Sequence, residues 1–365
     1  MDLTPYKNCK AHKQWLFISN DEKPYRPCCY FKTNIDATTV DEYYDQLSKM
    51  DIETNCKYCI DLEKNGNPFS QRKEAEDTIR DDELRITVSF DNLCNLRCTY
   101  CSPRYSTQIA NESKNSQKLY RIISEQGPSK LEFIKTALKQ NTYPYININI
   151  LGGEPLINPL IFEFLDWLSE QPYASTTAIS MLTNGTMYKP KLQEYSRIFR
   201  FVGLGFSIDG TDDIFEYIRS NGKWAEVKDN IDRYYQLQDH RFKINFQYAL
   251  TWMNALWFAD WYNWIYTSYP NLDSVHMNKL VYPEEQSVDV IPLKSKQIIL
   301  KRVFDNILPT NDPKFLEIQD KFKTQLMTGE DKSELFPLAQ KLFTAIDQTR
   351  NTNHEKVLTE IIKLI

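Results

Sequence analysis

Leu84-Arg-Ile-Thr-Val-Ser-Phe-Asp-Asn-Leu-Cys-Asn-Leu-Arg-Cys-Thr-Tyr-Cys101 is the stretch on which the reading of this chain turns. Leu84, Ile86, Val88 and Phe90 alternate with more polar residues, the period-2 signature of a strand. The strand runs straight into a loop bearing Cys94, Cys98 and Cys101, spaced C-x3-C-x2-C. Three thiolates on one short loop can hold three irons of a cubane iron–sulfur cluster and leave the fourth without a protein ligand. Clusters that only carry electrons are normally held by four cysteines. A vacancy therefore implies that something else binds there, as at an open catalytic zinc. The competing readings are a zinc knuckle or three unrelated buried cysteines.

Outward from this loop the pattern repeats. Ile146, Ile148 and Ile150 alternate in the same way, and further strand candidates lie at 178–182, 201–208, 244–250 and 275–281. Helical patterns separate them. Ser129 and Glu132 read as a capping box ahead of Phe133, Ile134, Ala137 and Leu138. Asn158 before Pro159 reads as a helix start, and 191–199, 224–237 and 255–266 complete the series. Strands alternating with helices predict a parallel βα sheet, either curled into a partial barrel or doubly wound. In both, ligands sit at the carboxyl ends of the strands.

The remainder bounds the answer. The chain has 365 residues, 25% of them charged, with a formal charge of −5, so no global pull toward a polynucleotide is expected. Its start lacks the apolar core of a signal peptide, and no apolar run is long enough to span a bilayer. A cytoplasmic protein is expected. The eight cysteines all lie at or before Cys101, clustered as metal ligands are rather than scattered as disulfides are. Residues 1–80 show weak periodicity and read as a small cysteine-rich module held by metal, without a core of its own. Residues 286–365 read as helical, with candidates at 294–308, 314–327 and 335–346.

The triad, its place after the first strand and the βα series resemble the radical SAM superfamily. That resemblance implies a core at residues 81–285 folded as a partial (β/α)6 barrel, within an α/β chain. It further implies a [4Fe–4S] cluster on Cys94, Cys98 and Cys101 with S-adenosylmethionine on the open iron. Electron transfer then yields a 5′-deoxyadenosyl radical that abstracts hydrogen from a substrate, with a reducing partner such as flavodoxin or ferredoxin. Ile150-Leu-Gly-Gly-Glu-Pro155 resembles the family's GGE motif. Gly152 and Gly153 allow close backbone approach, and Glu154 can accept from the methionine ammonium. Thr183-Asn-Gly185 and Ser207-Ile-Asp-Gly210 resemble segments of the SPASM/twitch subgroup that reach S-adenosylmethionine, which nominates Asn184 and Ser207. Arg219 matches an arginine pairing with the methionine carboxylate, a task that suits a rigid guanidinium fork. Tyr100 holds the family's adenine-contacting position; plain core packing is the alternative.

Cys9, Cys28 or Cys29, Cys56 and Cys59 can supply four thiolates for a second site. Neighbouring residues in extended chain point apart, so Cys28 and Cys29 are not both expected on one metal. The segment from Cys56 to Arg72 resembles the auxiliary-cluster module of SPASM/twitch enzymes, here placed before the core instead of after it. A second [4Fe–4S] cluster is implied, with a four-thiolate structural zinc as the alternative. His12 could replace a cysteine there, and Glu63 and Arg72 could support the loop. His276 is expected as a satisfied core histidine, and Trp257–Trp264 as a helix packed on the sheet. The substrate class stays open between small molecule, nucleoside or sugar nucleotide, and peptide; no winged-helix leader-binding domain is visible. The rival reading is a metal-stabilised binding protein with a degenerate site.

Overall fold

The computed structural model describes residues 4–66, 70–112 and 117–365. Positions 67–69 of the expected auxiliary segment lie outside them. Among the described residues the strands are β1 (Trp15–Ile18), β2 (Tyr25–Arg26), β3 (Glu83–Ser89), β4 (Arg97–Cys98), β5 (Tyr145–Leu151), β6 (Thr177–Thr183), β7 (Phe201–Ser207), β8 (Arg219–Ser220), β9 (Phe242–Leu250) and β10 (Val275–Lys279). Eight form one sheet in the order β10-β9-β7-β6-β5-β3-β1-β2, while β4 and β8 make a separate antiparallel ribbon. From β3 to β10 every pairing in the sheet is parallel and every neighbour sequential. This is the expected α/β class with an open sheet.

Alternation explains which side the site occupies. On β5 the isoleucines 146, 148 and 150 are buried and the residues between them half-buried; β9 repeats this along its whole length. The apolar face packs under helices such as Pro159–Ser169 and Phe258–Ser268, where Phe164, Leu165, Phe258 and Trp261 are buried. The other face presents Thr87, Asn149 and Ser180 in register across three strands. Parallel sheets are normally apolar on both faces, so a polar face marks the side open to ligand. The helix Pro159–Ser169 starts where expected, with Asn158 Oδ1 accepting from Leu160 N at 3.0 Å.

One helix departs from expectation. Gln117–Lys139 is continuous through Gly127 and Pro128, so Ser129 is interior and its Oγ donates to Gln126 O at 2.8 Å instead of capping. Tertiary contact overrides the local stop signal. A Cβ on Gly127 would lie 2.6 Å from Leu160 Cδ1, and Lys130 docks the helix on the end of β3 at Ser89 O (3.0 Å) and Phe90 O (3.2 Å).

The N-terminal segment is more ordered than its periodicity suggests. Strand β1 pairs in parallel with β3, Leu16 opposite Ile86 and Ile18 opposite Val88. Leu16, Ile18, Phe31, Val40 and Tyr43 join the apolar cluster of the main sheet. A segment with few apolar residues thus borrows a core by extending an edge. At the other end, Leu293–Asn306, Pro313–Met327 and Phe336–Arg350 are the expected helices. Phe322 stacks on Phe258 at 4.1 Å and Phe343 meets Trp252 edge-on at 5.4 Å, joining them to the sheet.

Candidate active site

The loop leaving β3 is built by short polar contacts. Thr107 Oγ1 accepts from Cys94 N at 3.2 Å and donates to Cys94 O at 3.0 Å. Ser106 Oγ donates to Leu96 O at 2.7 Å, and Asn92 Nδ2 to Pro103 O at 2.8 Å. Cys98 sits on β4, paired with Arg219 of β8. Cys94, Cys98 and Cys101 thereby line one open pocket at the carboxyl ends of the strands. Burial pushes the thiols of Cys94 and Cys101 up to about 12 and raises that of Cys98. Such thiols ionise when a cation is present to bind them.

Gly152, Gly153, Asn184, Ser207, Arg219 and Tyr100 line the same pocket. The glycines are required by the chain itself. A Cβ on Gly153 would fall 2.0 Å from Leu93 O, and Gly152 has φ +99° with Ser89 Oγ 2.0 Å from its would-be Cβ. Their absent side chains let the end of β5 lie against the cysteine loop. Glu154 is buried directly behind them and does not line the pocket. Its Oε1 accepts from Leu156 N (3.0 Å) and Thr183 Oγ1 (2.7 Å), and its Oε2 from Asn184 N (2.6 Å). The carboxylate thus ties the end of β5 to the end of β6. Asn184 in turn donates from Nδ2 to Asn95 Oδ1 at 3.0 Å, reaching the cysteine loop.

Asp209 was not singled out by the sequence reading and is central here. It is fully buried; its Oδ2 accepts from Arg219 Nε at 2.8 Å and from Tyr100 OH, and its Oδ1 from Ala249 N at 2.8 Å. Arg219 Nη2 donates to Tyr100 OH at 3.0 Å, and Nη1 lies 3.9 Å from Cys98 Sγ. Burial opposes the charge of Arg219, but Asp209 beside it more than compensates and holds its pKa above the ordinary value. The available signal was the Ser-Ile-Asp-Gly ending of β7, of which only the serine had been assigned. Gln247 and Asn278 also line the pocket, as half-buried and exposed residues on the polar face of β9 and β10.

The remaining cysteines gather elsewhere. Cys9, Cys28, Cys56 and Cys59 line a second, tight pocket, with His12, Tyr6 and Arg72 among its walls. Cys29 does not line it; its Sγ donates to Gln71 Oε1 at 3.3 Å. His12 Nε2 stands 3.5 Å from Cys56 Sγ, and burial pulls its pKa down to about 4. Arg72 forks onto Glu63 at 3.0 and 2.6 Å, joined by Tyr6 OH at 3.1 Å, so this pair is interior support and not solvent-facing. His276 is a correction: it lies exposed on β10, its Nε2 3.0 Å from Ser274 Oγ, because the edge strand leaves that face uncovered. Among the described residues no three His, Cys, Asp or Glu side chains meet at the spacing of a single ion.

Comparison with known proteins bears on the same region. The family model described as Radical SAM superfamily matches residues 88–245. A curated GTP 3′,8-cyclase from Syntrophomonas wolfei is 29% identical over 168 residues, 44% of this chain and 45% of that protein. A serine-type anaerobic sulfatase-maturating enzyme from Bacteroides thetaiotaomicron is 29% identical over 177 residues, 47% of this chain and 40% of that protein. The chain spans about half the length of the curated relatives it matches. The solved structure described as native anSMEcpe with bound AdoMet aligns with TM-score 0.42 and 17% identity, covering 61% of this chain and 60% of that one. The match to residues 88–245 takes in the C-x3-C-x2-C loop and the carboxyl ends of β5, β6 and β7, so this part of the chain is similar to the radical SAM superfamily.

Proposed function

We propose that the chain is a radical SAM enzyme whose Cys94, Cys98 and Cys101 hold a [4Fe–4S] cluster in the pocket they share with Gly152 and Gly153. That shared pocket is the single observation carrying the reading. The donor set fits: three thiols from one loop, with a guanidinium nitrogen 3.9 Å from Cys98 Sγ to balance negative charge. When bound, the cluster supplies the electron that splits S-adenosylmethionine into methionine and a 5′-deoxyadenosyl radical, which takes a hydrogen atom from substrate.

The chain's own residues bind and orient. Backbone at Gly152 and Gly153, the carboxamide of Asn184 and the hydroxyl of Ser207 offer neutral contacts to S-adenosylmethionine. Arg219 offers its carboxylate a charged one, with Asp209 and Tyr100 fixing the fork. Glu154 keeps the ends of β5 and β6 together beneath these contacts. Cys9, Cys28, Cys56 and Cys59 would hold a second, auxiliary [4Fe–4S] cluster, and Cys29 would not. The four thiols border one pocket, a donor set that a cubane or a structural zinc would use, and the likeness of the Cys56 to Arg72 segment to auxiliary-cluster modules favours the cubane. The enzyme is read as cytoplasmic, served by a flavodoxin- or ferredoxin-like donor. Nucleotide and protein substrates both have precedent among the relatives' names. Among the described residues no helix is long and apolar enough to cross a membrane.

The test is anaerobic reconstitution followed by dithionite and S-adenosylmethionine. Formation of 5′-deoxyadenosine and methionine is expected, and should vanish when Cys94, Cys98 and Cys101 are all alanine while iron at the N-terminal site persists. Failure to form 5′-deoxyadenosine in iron-replete protein would leave the degenerate binding protein as the better reading.

A further inference from the structure

The loop from Asp91 to Arg104 carries all three triad cysteines, and its two ends meet on one side chain from outside it. Asn20, fully buried in the turn after β1, donates from Nδ2 to Asp91 O at 2.9 Å and to Arg104 O at 3.1 Å. Its Oδ1 accepts from Lys130 Nζ at 3.1 Å, and that ammonium also holds Ser89 O and Phe90 O at the end of β3. The next residue grips the same loop end by its side chain: Asp21 Oδ1 lies 2.5 Å from Arg104 Nη1. Asp21 is itself held by Arg26 Nη2 at 3.1 Å and Ser19 Oγ at 2.7 Å. Every polar atom of the Asn20 side chain is therefore spent on the loop or on the residue that anchors its start. This turn belongs to the cysteine-rich N-terminal segment and lies outside residues 88–245.

We propose that Asn20 is a positioning residue for the radical SAM cysteine loop, closing it from the N-terminal segment so that three thiols face one pocket. A buried carboxamide suits the task. It offers two donors for two carbonyls and one acceptor for an ammonium, and no charged side chain supplies that combination. Without the donors, the carbonyls of Asp91 and Arg104 lose the one side chain they share, and the loop ends separate. The N-terminal segment thus bears on the main site by contact, whatever metal it carries itself.

The experiment compares wild type with Asn20→Asp in the full-length chain. The aspartate keeps an acceptor for Lys130 but has no N–H for Asp91 O or Arg104 O. Reduced metal-free protein is labelled with iodoacetamide at one pH, and each cysteine is followed by peptide mass spectrometry. Labelling of Cys94, Cys98 and Cys101 should accelerate about tenfold while Cys9, Cys28 and Cys59 keep wild-type rates, since only the loop opens more often. Unchanged triad rates in folded N20D overturn the proposal. So does uniform acceleration of all the cysteines, which would make Asn20 a general stability residue. Should N20D fail to fold, Asp21→Asn loosens the same loop end, and a triad-confined rise decides the matter in the same way. After reconstitution, the response of the reduced cluster's EPR spectrum to S-adenosylmethionine should weaken in N20D at equal iron content. This second readout rests on the function proposed above. If wild type itself shows no such response, that function fails while the labelling still judges Asn20.

Discussion

Arg219 illustrates what one buried charge demands of its surroundings. The residue is 6% exposed, and its guanidinium's partners are a single carboxylate, a tyrosine hydroxyl and a cysteine sulfur. Removing one member of a buried pair strands the other, at a cost of about 3–5 kcal/mol, far more than an exposed pair is worth. Asp209→Asn is therefore expected to lower unfolding free energy by about 3 kcal/mol, read from the urea midpoint. The exposed pair Lys301–Asp305, with side chains 81% and 59% exposed, provides the control. Lys301→Ala should move the midpoint little. A shift in D209N no larger than in K301A would refute the assignment of Asp209 as the counter-charge.

At the scale of the element, the helix Gln117–Lys139 is held to β3 by a lysine with no exposed surface. Burial draws Lys130 down from 10.5 to about 8. Across that window the unfolded chain keeps a proton that the folded one has released, so this group's contribution to stability rises with pH. Lys130→Met removes the group. Between about pH 7.5 and about pH 9.5 wild type should gain about 2 kcal/mol on K130M in denaturant titrations. A constant gap would mean that the ammonium titrates alike in both states. The same helix shows why Gly127-Pro128-Ser129 misleads: a local stop signal of a few kcal/mol yields when a docked face and a buried ammonium depend on continuity.

For the molecule as a whole, the cysteine loop is gripped from both chain ends. Opposite Asn20, Arg350 at the end of the helix Phe336–Arg350 donates from Nη1 to Arg97 O at 2.6 Å, beside Cys98. It also forks onto Glu112 Oε1 and Oε2 at 2.8 Å each. Its side chain is 3% exposed, so the fork is dry on one side. Arg350→Leu should cost about 2 kcal/mol by thermal or urea unfolding. It should also weaken S-adenosylmethionine binding to the reconstituted protein, measured by equilibrium dialysis, although residue 350 lies far outside the family match. Intact binding with the stability loss alone would make the C-terminal helix a brace and nothing more.

What the amino-acid string determined by itself was local. Period-2 alternation placed six of the parallel strands, and the spacing of Cys94, Cys98 and Cys101 and of Gly152 and Gly153 marked residues that line one pocket, because a loop and a strand end are made of residues near each other in sequence. The N-cap at Asn158 was legible for the same reason. Tertiary structure alone decided the rest. It added β1 to the edge of β3, took Cys28 and left Cys29, brought Asp209 to Arg219, and closed the cysteine loop on Asn20. Each of these joins residues with no periodic relation along the chain. Their pairing follows from burial, where an unpartnered polar or charged group costs more than the ordering that brings its partner to it.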